Sequence, residues 1–102
     1  MINTNRIDEL REEVGPDDLN EVIELFCEEM EETLSTLDQT ALQDLPAQLH
    51  FLKGSALNLG LDRVSDLCRA EELRLKSDPT VAPDISAIRQ AYSDARQILS
   101  SL

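Results

Sequence analysis

The sequence has no tryptophan, one tyrosine and two phenylalanines. A core must therefore be assembled from Leu, Ile, Val and Ala, and with only three glycines that aliphatic composition favours helices. Basic residues are scarce: nine Lys and Arg stand against 21 Asp and Glu, a formal charge of −12. Phosphate backbones and anionic lipid surfaces would be repelled, which argues against nucleic-acid or membrane partners. No run of about 18 apolar residues occurs, and the opening "MINTNRIDEL" lacks the basic-then-apolar pattern of an export signal. A soluble cytoplasmic protein is expected. Cysteine is limited to Cys27 and Cys68, far apart and without CxxC spacing, and histidine to His50. That set lacks the ligands of a structural zinc site, so no metal site is expected. Each cysteine falls on an apolar helical stripe and reads as a buried, inert thiol.

What the sequence does contain is helical periodicity. At 102 residues the chain is long enough for one core, so residues 1–102 read as a single domain. Ile7, Leu10 and Val14 follow helical spacing after a cap at Asn5, and Gly15–Pro16 ends that short element. A longer helix follows, with Asp18 and Glu21 placed as a capping pair. Its apolar stripe is Leu19, Val22, Ile23, Phe26, Met30, Leu34 and Leu37. The acidic residues Glu21, Glu24, Glu28, Glu29, Glu31 and Glu32 read as its solvated outer face. Leu42, Leu45, Leu49, Leu52, Ala56 and Leu59 form the seam of a third helix. Asp44 as cap with Pro46 in the first turn suits its start, and Gly60 suits a left-handed stop. A fourth helix is expected from about Asp62 to Lys76, burying Val64, Leu67, Cys68 and Leu75. The fifth carries Ile85, Ile88, Tyr92, Ala95, Leu99 and Leu102. No alternating strand pattern competes. The expected class is all-α, an antiparallel up-and-down four-helix bundle with a short leading N-terminal helix.

His50 is set apart by its phase. A helix advances about 100° per residue, so with His50 at zero the leucine seam centres near roughly −130°. The imidazole is expected on the far side from the core, exposed. Its neighbours there are Gln43, Pro46 and Ala47 before it, and Lys53, Gly54 and Leu57 after. An exposed histidine is by itself an ordinary polar surface residue. Lys53, one turn on, brings an ammonium close enough to meet an anion attached to the ring. Gly54 weakens an exposed helix by about 1 kcal/mol relative to Ala, odd unless something must approach closely. Leu57 adds an exposed apolar contact, and with Ala47 and Pro46 it suits partner docking. Nucleophile, cation and cleared space together make a coherent phosphoryl-acceptor site, since neutral imidazole is nucleophilic near neutral pH. Nothing supplies the rest of the chemistry: there is no GxxxxGK[ST] loop and no carboxylate cluster for magnesium.

"LHFLKGSALNLGLDRVSDLC", from Leu49 to Cys68, closely resembles the signature of histidine-containing phosphotransfer (HPt) domains, in outline H-x-L-K-G-[SA]-[SA]-x-x-[LI]-G followed by a helix bearing L-x-x-L-C-x-x-L-E. His50, Leu52, Lys53, Gly54, Ser55, Ala56, Leu59 and Gly60 fit, as do Leu67 and Cys68. The segment "ELFCEEMEETLSTL" looks like the family's second helix. The resemblance implies that His50 is phosphorylated, on Nε2, by a receiver-domain aspartate. It implies a phosphohistidine carrier serving receiver domains of response regulators and hybrid kinases in a multistep phosphorelay, with no ATP-dependent kinase activity. Lys53 would contact the phosphoryl oxygens and Gly54 would clear the partner's approach. No cofactor of its own is implied; Mg²⁺ would belong to the receiver. Two departures stand out. Glu71 occupies a usually apolar position, with Glu72 at the usual acidic one, so packing in the middle of the fourth helix is expected to suffer. The segment before His50 is short and carries a proline. The competing readings are a helical adaptor that binds a receiver without turnover, and an unrelated adaptor working through its acidic face. A patch that must meet receivers favours a monomer.

Overall fold

A computed structural model describes residues 2–101. Five α-helices follow one another: α1 (Thr4–Val14), α2 (Leu19–Thr36), α3 (Leu45–Asn58), α4 (Asp62–Ser77) and α5 (Ile85–Ser100), with a single 3₁₀ turn, Leu37–Gln39, extending α2. There is no strand among the described residues. The particle is elongated, 45 × 21 × 21 Å. Its core runs along the inner stripes, where Met30, Leu49, Leu52, Ala56, Leu59, Cys68 and Ile88 are wholly buried. Each fully buried Leu or Ile removes enough apolar surface from water to contribute about 1.5–3 kcal/mol.

α3 and α4 pack on each other most extensively and run in opposite directions, since the side chains of positions 50 and 53 meet position 72 across a turn at residues 59–61. That turn is built on Gly60 at φ +73°. Leu61 N–H donates to Ala56 O (2.8 Å) and Gly60 N–H to Leu57 O (3.1 Å), satisfying carbonyls that the helix end leaves open. α5 runs opposite to α2: Arg89 reaches Asp38 and the Leu34 carbonyl, Tyr92 reaches Glu31, and Arg96 reaches Glu24. α1 is tied to the α3–α4 turn, with Asn3 N–H donating to Gly60 O (2.7 Å) and Arg6 Nε to Asn58 O (2.9 Å).

Several expectations need correction. The cap of α1 is Asn3, whose side chain accepts from Arg6 N–H, not Asn5. The Asp18–Glu21 capping pair does not form. Asp18 flanks α2 in a helical conformation (φ −96°, ψ −8°), so its carboxylate is not aimed back at the first free N–H groups. Leu42 is 41% exposed and precedes α3, outside the seam. The Pro46 ring would strike the Leu42 carbonyl if the helix continued backwards, so α3 starts at Leu45. Val22 and Phe26 of α2 are half-buried at the core's edge, as are Leu67 of α4 and Ile85 of α5. Leu102 lies outside the described residues. Asp44 stands at the cap position of α3, but like Asp18 it is helical (φ −97°, ψ −14°) and its side chain makes no capping hydrogen bond. Pro46 in the first turn, the left-handed Gly60 and both buried cysteines stand as expected.

Candidate functional site

α3 presents His50 in its second turn. Leu45, Leu49, Leu52 and Ala56 commit one side of the helix to the core, and helical phase turns position 50 outward. Its side chain is 72% exposed. Pro46, Ala47, Gly54 and Leu57 are exposed with it, Leu57 to 52%. Gln43 is not part of this face in the helical sense, because α3 begins after it. A Cβ placed on Gly54 would meet no atom within 4 Å, so the surface beside His50 is open.

Lys53 behaves differently from a solvated lysine. Its side chain is largely folded away from water, and Nζ lies 3.1 Å from Glu72 Oε1 on α4. The other oxygen of Glu72 lies 3.5 Å from His50 Nδ1. Glu72 is mostly buried, and Oε1 has no hydrogen-bond donor in line. The Lys53 ammonium compensates it by charge, without the geometry of a formed hydrogen bond. A carboxylate beside Nδ1 favours the tautomer with the proton there, leaving the Nε2 lone pair free for nucleophilic attack. The site is thus an exposed imidazole with an anchored carboxylate behind it and an ammonium one turn away.

Glu72 is the residue that periodicity did not single out. It stands on a different helix, and its approach to His50 depends on how α3 and α4 cross. The neighbouring Glu71, expected to disturb α4, is accommodated: Arg74 Nε donates to it at 2.9 Å and Arg74 also donates to Ala82 O, so the buried charge is paired. On α4, Cys68 is pushed up to about 12, first by burial and then by the charge of Glu72. At neutral pH it is a protonated, inert thiol. The acidic face of α2 is less simply solvated than its sequence suggests, because Glu24 and Glu31 pair with Arg96 of α5. Leu25, on the same helix, is 54% exposed beside Val22, Phe26 and Glu29 in a shallow apolar depression.

The family model of the Hpt domain matches residues 21–98. The chain belongs to the Hpt domain family. This Hpt domain is 29% identical over 92 residues to the phosphorelay intermediate protein YPD1 of Candida albicans, covering 72% of this chain and 50% of that protein. It is 31% identical over 84 residues to the phosphorelay protein LuxU of Vibrio harveyi, covering 76% of this chain and 72% of that one. The Hpt domain therefore spans half the length of the Candida relative. No solved structure matches it at comparable strength.

Proposed function

We propose that this Hpt domain is a phosphohistidine carrier. His50 Nε2 accepts a phosphoryl group from the aspartyl phosphate of one receiver domain and passes it to the aspartate of another, in a multistep phosphorelay. The observation that carries the reading is the exposure of the His50 ring, with Nδ1 turned towards Glu72 and the helix surface clear at Gly54. Phosphoryl transfer asks for alignment and charge neutralisation more than for covalent help. Here Lys53 neutralises the phosphoryl oxygens by turning from Glu72 towards them. The carrier has no kinase or hydrolase activity of its own, and the magnesium that assists transfer is held by the receiver. Pro46, Ala47 and Leu57 are contact residues for receivers of response regulators and hybrid kinases. The relatives described as phosphorelay proteins support this assignment.

The same reading takes residues 1–102 as one domain, a cytoplasmic monomer. The opposed runs of α2 with α5 and of α3 with α4 support an antiparallel up-and-down arrangement of four long helices behind a short α1. The described residues contain no helix long and apolar enough to cross a membrane.

The test is transfer of labelled phosphate from a phosphorylated receiver. The wild-type chain should gain label that is lost in acid and kept in alkali, as a phosphoramidate is. His50→Gln should gain none, while its thermal stability stays within about 0.5 kcal/mol of wild type, because the ring lies outside the core. Receiver binding without label in the wild type would establish the adaptor reading instead.

A further inference from the structure

At the end of the bundle where α3 begins, the 3₁₀ extension of α2 and the starts of α3 and α5 enclose an open groove of about 540 Å³. A volume in this range takes a small ligand or a few inserted side chains. Its apolar lining is Leu37, Leu42, Leu45, Ala82, Pro83 and Ile85. Leu37 and Leu45 are buried from below, whereas Leu42 leaves 41% of its surface in water. Leu42 belongs to no helix, because Pro46 stops α3 from reaching back to it. Packing within this chain does not account for a leucine there. Val81, next to Ala82 in the connector before α5, is exposed as well.

The charges around the groove leave one sign in excess. Arg89 is the single cation among its lining residues, and both arms of its guanidinium are taken: Nη1 donates to Asp38 at 2.8 Å and Nη2 to the Leu34 carbonyl. Asp84 lines the groove with an exposed carboxylate, held below the usual range by the Ser86 hydroxyl and then by the Ala87 N–H, so it stays ionised. Asp44 is exposed one residue before Leu45. α3 and α5 both start here, and these two carboxylates stand at those ends, where they meet the partial positive charge of each helix. An anionic headgroup or an acidic peptide finds no free cation in the groove. Lysine or arginine side chains find exposed carboxylates. We propose that the groove is a second docking site, separate from the face around His50, for a protein segment that presents one or two bulky apolar side chains between lysines or arginines. Leu45 precedes His50 by five residues, roughly 7.5 Å of helix. A partner engaged at Pro46 and Ala47 can therefore place such a segment here and hold itself near the imidazole. That use as a tether rests on the phosphocarrier reading; the binding does not.

The experiment titrates the ¹⁵N-labelled full chain with a synthetic peptide that carries Phe-Leu at its centre, flanked by glycines, with a pair of lysines at each end. Amide shifts should saturate below about 1 mM peptide and centre on Leu37, Leu42, Leu45, Ala82 and Ile85. A control peptide with Gly-Ser in place of Phe-Leu should bind at least about tenfold more weakly, and one with Glu in place of Lys should leave these amides unmoved. Leu42→Ser should weaken the lysine peptide at least about fivefold while melting at the wild-type temperature, because Leu42 stands outside the core. Asp44→Asn removes no capping hydrogen bond and should weaken it about two- to fivefold. The absence of a saturable shift, shifts centred on the acidic face of α2, or equal binding of the Gly-Ser peptide would each overturn the site. Binding should be the same in His50→Gln. Failure of the phosphocarrier reading would thus leave the site standing and remove only its use as a tether.

Discussion

At the scale of single residues, the site combines groups with opposite relations to solvent. His50 is in water, Glu72 is mostly out of it, and Lys53 spans the two. Gly54 is the simplest to question. Its missing side chain stabilises nothing in the isolated chain, since a Cβ there would touch nothing. Gly54→Ala should therefore raise stability by about 1 kcal/mol through helix propensity, read as a higher midpoint in urea. Gly54→Gln should remain as stable as wild type yet slow transfer from a receiver at least about tenfold; an unchanged rate would remove the clearance role. Cys68 offers a pH test. Its folded thiol holds a proton up to about 12, against 9.0 for the free group, chiefly because burial disfavours the thiolate. The stability this represents is complete below pH 9 and is lost as pH rises towards 12. Thermal melting should fall steeply between pH 9 and pH 11, and Cys68→Ala should flatten that fall; Tyr92, also raised by burial, leaves part of the slope in place.

At the scale of elements, the turn between α3 and α4 carries the site's geometry, because it decides which α4 residue lies beside His50. Gly60 serves it twice. Its φ of +73° suits a residue without a side chain, and an added Cβ would sit 2.7 Å from the Asn3 carbonyl oxygen. Gly60→Ala should cost at least about 2 kcal/mol, and lower the melting temperature by about 8–16 °C for a domain of this size. It should also weaken the tie between α1 and the rest, seen as faster amide exchange at Asn3. The start of α3 shows how far periodicity alone can be carried. Leu42 keeps the 3/4 spacing of the seam, yet Pro46 forbids the helix that would give the spacing meaning, and Leu42 ends up exposed. The same proline identified the true start. Where a stripe and a steric prohibition disagreed, the prohibition prevailed.

At the scale of the whole molecule, charge is the dominant feature. A formal charge of −12 on a particle 21 Å across leaves the folded state repelling itself. Opposing this are three ion pairs between α2 or its 3₁₀ extension and α5, Arg89–Asp38, Arg96–Glu24 and Arg96–Glu31, which are at least half exposed on the acidic side and contribute about 0–1 kcal/mol each. Repulsion outweighs them, so raising NaCl from about 20 mM to 300 mM should increase the melting temperature by a few degrees as screening shortens to less than the molecule's width. A fall with salt would mean that the cross-helix pairs matter more than the net charge.

Much of this protein follows from the order of its residues. Apolar steps of three and four fix where helices form and which faces they bury, because a helix repeats every 3.6 residues whatever its neighbours do. The same phase puts His50 outside, and the HxLKG run is legible because its residues lie within about one turn of one helix. Glu72 is of another kind. Its value lies in standing 3.5 Å from His50 and 3.1 Å from Lys53, distances set by the crossing of two helices through a three-residue turn. Local periodicity says which side of α4 is buried, but not which residue of that side meets the imidazole. The cross-helix pairs of Glu24 and Glu31 depend likewise on where α5 lies along α2. Helical phase is a property of one segment and can be read from it; the juxtaposition of charges is a property of packing and exists only once the helices have met.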